Sequence, residues 1–239
     1  MKIFGFEVDR RKVAFLLIFS VLALVLNQVK FTQILGVESK NFTLFQFIGP
    51  IGAGIVGTGL GIVAVLLAGF GSTVYALLNG GTPDLMVFVP FFTMVFGAIY
   101  FGTKGKSSAV VAAVCMALFW LNPIGQQAWF YPLYWLIPIV ASFYKENIFV
   151  RSLGTTFTAH AIGSVIYLYA FPIPAATWAF LFTNIVWVER LTFAAGITLS
   201  YYAVNTLLDM LESKVKWNLE FLNIEKRYSV FRLPGPDKD

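Results

Sequence analysis

The sequence predicts an all-α protein, a polytopic bundle of transmembrane helices. Of its 239 residues, 58% are hydrophobic and only 12% are charged, whereas about a quarter of the residues in a soluble domain are charged. The charges are also grouped, so that four stretches contain none: 41–83, 85–103, 107–144 and 152–188. A helix needs about 20 mainly apolar residues to cross a bilayer. We therefore expect a multi-pass protein of the cell membrane, surrounded by the lipid bilayer.

The first two apolar segments differ in regularity. The run 13–28 follows a basic N-terminus and lacks a small-x-small cleavage site, so it is expected to be a retained helix rather than a signal peptide. The next run, 42–78, is too long for one crossing, and its first half is rich in glycine and contains Pro50. Proline removes a backbone donor and glycine weakens a helix. We predict a broken or re-entrant segment at 42–61, followed by a regular helix near 62–78.

The positions of the basic residues predict the topology. The later apolar segments are 85–103, 107–121, 129–144, 152–171 and 175–210, the last taken as one long helix. If 42–78 crossed only once, every later basic loop would lie opposite the basic N-terminus, against the positive-inside rule. If it enters and returns, all basic clusters are cytoplasmic. We expect six or eight crossings with both termini cytoplasmic, one transmembrane domain (1–213) and a polar cytoplasmic tail (214–239).

Four polar residues share one face of the helix predicted over 152–171. Ser152, Thr156, His160 and Ser164 are spaced by four residues, which places them on the same side. An ionisable group inside a membrane is costly and is a candidate functional residue, so His160 could donate a hydrogen bond or carry a proton. The stripe either lines a binding cavity or packs against another helix. The chain has no second histidine, so we expect no metal site. We also expect no cofactor and no catalytic residue.

Glu189 and Arg190 form an acid–base pair at the end of a charge-free stretch. Adjacent residues on a helix do not face each other, so each side chain is expected to face a different neighbour. Arg190 could hold an anionic group of a ligand and Glu189 a cationic or donor group. Alternatively, the two fix the helix register, or Arg190 snorkels at the membrane boundary. Asn184 could join either arrangement.

Two further regions contain candidate ligand-binding residues. Gln46 lies in the glycine-rich broken segment, and transporters use broken helices to line their binding cavities. Trp129 and Trp135 belong to an aromatic cluster at a predicted outer boundary. Such a cluster is typical of an interfacial belt, or it forms a mouth that stacks on a flat ligand. Close helix packing remains the alternative for the glycine-rich segment.

Two segments resemble known membrane proteins. The sequence FTLFQFIGPIGAGIVG at 42–57, followed by GIVAVLL at 61–67, resembles the early membrane segments of substrate-binding S components of energy-coupling factor (ECF) transporters. TAHAIGSV at 158–165, with Trp178 and Glu189-Arg190, resembles uncharacterised archaeal membrane proteins. The resemblance implies about six helices around an outward pocket, and a vitamin or other small nutrient as ligand. It also implies a transmembrane coupling protein and ATPase subunits as partners, docked on small-residue faces such as the alanines of 109–117.

These observations favour a substrate-binding integral membrane subunit of a small-molecule uptake transporter. The sequence has no ATPase signature, so binding would not involve nucleotide hydrolysis. One alternative is a non-catalytic structural or accessory subunit of a larger membrane complex. Another is an intramembrane enzyme that uses His160 and Glu189. No nucleic-acid partner is expected, because the net charge of +5 comes from basic residues at segment ends, which membrane topology explains.

Overall fold

The computed structural model describes residues 2–3, 6–7, 9–33, 41–81 and 88–232, so Asp84 and the tail residues 233–239 lie outside the described residues. The helices are α1 (Arg10–Leu26), α2 (Phe45–Ile48), α3 (Ile51–Ile55), α4 (Thr58–Leu78), α5 (Val89–Gly102), α6 (Ala109–Leu121), α7 (Pro123–Gln127), α8 (Leu136–Ala141), α9 (Ile148–Ala170), α10 (Ala175–Asn184) and α11 (Val186–Ser213). Two short antiparallel pairs join β1 (Lys2–Ile3) to β2 (Phe6–Glu7) and β3 (Lys30–Gln33) to β4 (Asn41–Thr43). The predominance of helix confirms the predicted all-α class.

Two of the described helices are long and apolar enough to cross a membrane. They are α4, with 21 residues, and α11, with 28 residues. Only 28% and 33% of the residues in their most apolar stretches are buried inside the protein, so most of these residues are at least partly exposed. The described helices α5 and α6 have 14 and 13 residues, fewer than an ordinary span. The number of crossings therefore stays a prediction.

The segment 42–61 is broken twice, as the sequence predicts for this region. Gly49 and Pro50 separate α2 from α3, and Gly57, with φ +95°, separates α3 from α4. Glycine adopts this backbone conformation without strain from a side chain. The chain then doubles back, so closely that a Cβ atom added to Gly61 would lie 2.4 Å from the Cα of Ala53. The regular helix begins at Thr58, earlier than predicted.

Contacts between distant parts of the chain define one end of the bundle, here called the basic end. The Arg11 guanidinium lies 5.3 Å from the ring centroid of Phe221, so the start of α1 meets the C-terminal segment. In the same segment, the Asn223 N–H donates to the Ile55 carbonyl at the end of α3, at 2.7 Å. Arg151, in the first turn of α9, lies at this end as well, since it pairs with Glu225, and Lys145 precedes the same helix by three residues.

The opposite end is defined by a chain of polar side chains. The Thr43 hydroxyl donates to Asn27 Oδ1, and Asn27 Nδ2 donates to Ser72 Oγ, both at 2.9 Å. Asn27 ends α1, so this group lies one helix length away from Arg11. Because Thr43 is at this end and Ile55 is at the basic end, α2 and α3 run back towards the basic end and α4 returns. The predicted return within 42–78 is therefore present in the fold.

Helix α9 lies at the centre of the bundle. It packs against α5, α6, α8 and α11 and contributes residues to two hydrophobic cores. The first core includes Phe45, Phe101 and Tyr201, and the second includes Phe119 and Trp178. The second core lies beside α6 and α10, so α9 separates the two groups of helices.

The prediction of a single helix over 175–210 is wrong, because the helix is interrupted at Ile185 between α10 and α11. Thr183 Oγ1 donates to the Ala179 carbonyl and Asn184 Nδ2 to the Phe180 carbonyl. Such side-chain bonds to the backbone bend helices. The predicted segment 129–144 is also irregular, since a 3₁₀ turn (Tyr131–Trp135) precedes the short α8.

The described part of the tail, 214–232, packs onto the basic end. Leu219, Leu222 and Tyr228 are buried in the first core. Glu225 Oε1 accepts hydrogen bonds from Arg151 Nη2 at 3.0 Å and from the Tyr201 hydroxyl at 2.7 Å. The tail is therefore bound to α9 and α11 by both apolar and ionic contacts.

Candidate functional site

A cavity of about 380 Å³ lies in the half of the bundle away from the basic end. Its walls come from α2, α5, α9, α10, α11 and the 171–174 loop, and its size falls in the range of small-molecule sites. Six of the predicted site residues line it: Gln46, Thr156, His160, Ser164, Glu189 and Arg190. The fold thus brings together residues that are separated by up to 144 positions in the sequence.

Arg190 is held on several sides, although its side chain is only 6% exposed. Its Nη2 donates to Glu189 Oε2 at 2.9 Å, and its Nη1 donates to Thr156 Oγ1 at 3.2 Å. The guanidinium also lies 4.7 Å from the Phe193 ring centroid and 5.6 Å from that of Phe42. A buried charge requires such compensation.

The expectation that Glu189 and Arg190 face different neighbours is therefore wrong. Both side chains are long enough to curve towards each other although they are adjacent on α11. Glu189 is 18% exposed at its side chain, and an unpaired guanidinium beside it would be costly in this apolar setting. Pairing within the cavity wall removes that cost.

His160 forms a polar group with two hydroxyls. Its Nε2 lies 2.9 Å from the Tyr131 hydroxyl and 3.5 Å from Ser164 Oγ. No carboxylate contacts the imidazole among the residues that the structure describes. This arrangement is suited to hydrogen bonding with a ligand.

Gln46 is oriented by β4. Its Oε1 accepts a hydrogen bond from the Thr43 backbone N–H at 2.7 Å and lies 3.0 Å from the Thr43 hydroxyl oxygen. The side-chain NH₂ group has no partner within the described ranges, and Gln46 lines the cavity. The contact with Thr43 thus fixes the orientation of this amide group at the site.

Aromatic residues that were not predicted as site residues complete the wall. Tyr131 and Trp178 both line the cavity, with ring centroids 4.8 Å apart at an interplanar angle of 73°. Their positions depend on packing against Phe119 in the second core. In the sequence, only the aromatic cluster indicates that Tyr131 could belong to the site. Residue spacing alone does not indicate this for Trp178.

Three predicted site residues lie away from the cavity. Trp129 is exposed, whereas Trp135 is fully buried in the second core. Asn184 is exposed and bonds to the Phe180 carbonyl and to Thr183. None of these three is among the cavity-lining residues of the described chain, which contradicts their placement in one site.

The chain was compared with protein families, curated proteins and solved structures, and nothing matches it. In the described part of the chain, no group of three His, Cys, Asp or Glu residues could hold a metal ion.

Proposed function

We propose that this chain is a multi-pass membrane protein that binds a small molecule in the cavity, as the substrate-binding subunit of an uptake transporter. The observation that carries the proposal is the convergence of Arg190, His160 and Gln46 on one cavity. These residues come from α11, α9 and α2. Their polar groups face a space that the protein itself does not fill.

Exposed apolar side chains support the membrane location. Ile18 on α1, Phe70 on α4 and Leu199 on α11 are 70%, 67% and 69% exposed. Soluble monomers rarely carry extended apolar surfaces of this kind, whereas lipid would cover them. The proposed topology has eight passes between the two faces. Six are α1, α4, α5, α6, α9 and the α10–α11 pair, and two are the short, irregular segments 45–55 and 131–141.

The positive-inside rule orients this arrangement. The start of α1 and the C-terminal segment meet at the basic end, through Arg11 and Phe221, and this end would face the cytoplasm. The cavity would then lie in the outer half of the membrane, where an imported molecule would first arrive. This placement favours uptake over a purely structural role.

The cavity also distinguishes binding from helix packing. Polar residues that only join helices are expected to satisfy one another in a close-packed interior. Here Thr156 and Arg190 bond to each other, yet a space of about 380 Å³ remains beside them. A ligand of matching polarity would fill it.

Transport energy would come from partner subunits, because the sequence has no P-loop. We propose a membrane coupling protein and ATPase subunits as these partners. Helix α6 offers a face for the coupling protein, since Ala113 and Ala117 are exposed, with Val110 and Val114 beside them. Small residues at this spacing allow close approach of another helix.

Two isosteric variants test the proposed binding. Thr156→Val removes the hydroxyl that accepts from Arg190 in the cavity wall. Thr158→Val is the control, because Thr158 is buried on the same helix but bonds only to the Gly154 carbonyl of its own helix among the described residues. We expect native mass spectrometry of detergent-purified protein to show a copurifying small molecule. Its occupancy should fall in Thr156→Val and stay unchanged in Thr158→Val.

Two results would contradict the proposal. One is equal occupancy in both variants, which would place the molecule outside this cavity. The other is the absence of any small molecule together with constant copurification of partner proteins. That second result would favour an accessory subunit of a membrane complex.

A further inference from the structure

We infer that the ligand of this cavity is an uncharged, ring-containing molecule that carries both a hydrogen-bond donor and an acceptor. This inference rests on the proposed binding function and specifies the ligand class. It follows from the charge balance of the cavity wall, from the polar groups that remain available, and from the aromatic residues around them.

The cavity wall has no net charge among its described residues. Glu189 and Arg190 are the acidic and basic side chains that line it, and they pair at 2.9 Å. His160, the remaining titratable nitrogen base, contacts hydroxyl groups rather than a carboxylate. An imidazolium there would be uncompensated, so the neutral ring fits this site.

A charged ligand would disturb this balance. An anion beside Arg190 would leave two negative charges for one positive charge, because Glu189 already pairs with Nη2. A cation beside Glu189 would leave the opposite excess. Both arrangements leave an unmatched charge in a buried part of the protein, since Arg190 is only 5% exposed. Electrostatic interactions are stronger there than in bulk water, so the unmatched charge is costly. An uncharged ligand avoids this penalty.

The available polar groups require a ligand with both hydrogen-bonding functions. Thr43 occupies the carbonyl of Gln46, which leaves the amide NH₂ as a donor for an acceptor on the ligand. Arg190 occupies Oε2 of Glu189. Oε1 has no partner in the part of the chain that the structure describes and is an acceptor for a donor on the ligand.

The aromatic wall favours a ring. Tyr131 and Trp178 meet at an interplanar angle of 73°, and Phe42 and Phe193 lie on the side of Arg190. Aromatic rings prefer edge-to-face and offset contacts with other rings. A flat ligand can make these contacts while its polar groups reach Gln46 and Glu189.

Three probes of nearly equal shape test the inference: 2-naphthamide, 2-naphthoate and 2-naphthamidinium. They share the ring system and are uncharged, negative and positive at neutral pH. Their dissociation constants for the full chain in detergent would be measured by quenching of tryptophan fluorescence and checked by thermal stabilisation. We expect 2-naphthamide to bind at least about tenfold more tightly than either ion, because the ions leave an unmatched charge.

A charge-changing variant sharpens the test. Glu189→Gln leaves Arg190 without its anionic partner, so 2-naphthoate should gain relative to 2-naphthamide, and their order should reverse. Glu212→Gln is the matched control, since Glu212 pairs with Lys226 at 2.7 Å and does not line the cavity. It should leave the order unchanged. If Glu189→Gln does not fold, the dissociation constants of the three probes for the unmodified chain still test whether the cavity prefers an uncharged ligand.

The outcomes separate the two proposals. Tighter binding of 2-naphthoate or 2-naphthamidinium to the unmodified chain would overturn the inference and leave the binding function standing. Failure of all three probes to bind, together with the absence of a copurifying molecule, would overturn the binding function itself. An unchanged order of the probes in Glu189→Gln would show that the ion pair does not set the ligand charge.

Discussion

Replacement of Glu225 by alanine is expected to release the C-terminal segment from the bundle. The carboxylate accepts from Arg151 at 3.0 Å and from Tyr201 at 2.7 Å, and the Arg151 side chain is only 10% exposed. Removal of one partner of a buried ion pair costs about 3–5 kcal/mol. The Glu225 side chain is 27% exposed, so solvent screening reduces the expected loss to about 2 kcal/mol. A loss of about 2 kcal/mol raises the open population roughly 30-fold.

Limited proteolysis with trypsin measures this population, because the segment contains Lys216, Lys226 and Arg227. When opening is fast relative to cleavage, the cleavage rate follows the fraction of open molecules. Glu220→Ala is the control, since Glu220 is an exposed acid of the same segment whose hydrogen bonds within the described chain go only to Asn218. Equal cleavage of Glu225→Ala and Glu220→Ala would refute the idea that the Arg151 contact holds the segment.

The same contact predicts a pH dependence. Burial alone would raise the pKa of Glu225, but Arg151 and Tyr201 outweigh this effect and hold the pKa below its ordinary value. The stabilisation is therefore present above the ordinary pKa, about 4.3, and is lost as the pH falls through the folded-state pKa. Hydrogen exchange of the segment, corrected for intrinsic rates, should accelerate in that acidic range. Glu225→Gln should lose most of this acceleration, and an unchanged profile would contradict it.

Two further pairs of variants test the packing. Gly61→Val should lower the melting temperature in detergent, because its Cβ would meet the Ala53 backbone at 2.4 Å and overpacking costs about 1–3 kcal/mol or more. Gly59→Val should have little effect, since no atom lies within 4 Å of its Cβ position, and equal effects would refute the close α3–α4 contact. Lys145→Met should cost about 2 kcal/mol, because the ammonium group donates to carbonyls at the end of α5. The exposed Lys104→Met is its control, and equal melting temperatures would contradict this role.

The return of the chain within 42–78 could be predicted because two independent features of the sequence agree. Pro50 lacks a backbone N–H, so a helix break near it follows from chemistry alone. The basic clusters independently require the chain to return. The break at Ile185 has a weaker signal. Thr183 bonds to a backbone carbonyl one turn earlier, but Thr155 and Thr158 make the same kind of bond within the continuous helix α9. Sequence alone does not decide which such helix bends.

In the candidate site, features that depend on helical spacing could be predicted, whereas contacts between residues far apart in the sequence could not. The spacing of Thr156, His160 and Ser164 by four residues predicts a shared face, and all three line the cavity. The partner of His160 is Tyr131, which lies 29 positions away in the sequence and contacts it at 2.9 Å. Helical periodicity gives no information about this contact. Trp129 was as good a candidate as Tyr131 by composition, but it is exposed.

The central position of α9 explains why the polar site lies on a helix that hydropathy does not single out. Although α9 has 23 residues, it is not among the two described helices that qualify as membrane spans. Its neighbours cover it on several sides, so it needs little lipid-compatible surface and can carry many hydroxyl groups. Thr155 and Thr158 bond to carbonyls one turn earlier on α9, which satisfies them locally. Thr156 bonds instead to Arg190, across the cavity wall. Some hydroxyl groups of this interior helix therefore bond within α9, whereas others bond to side chains of α11.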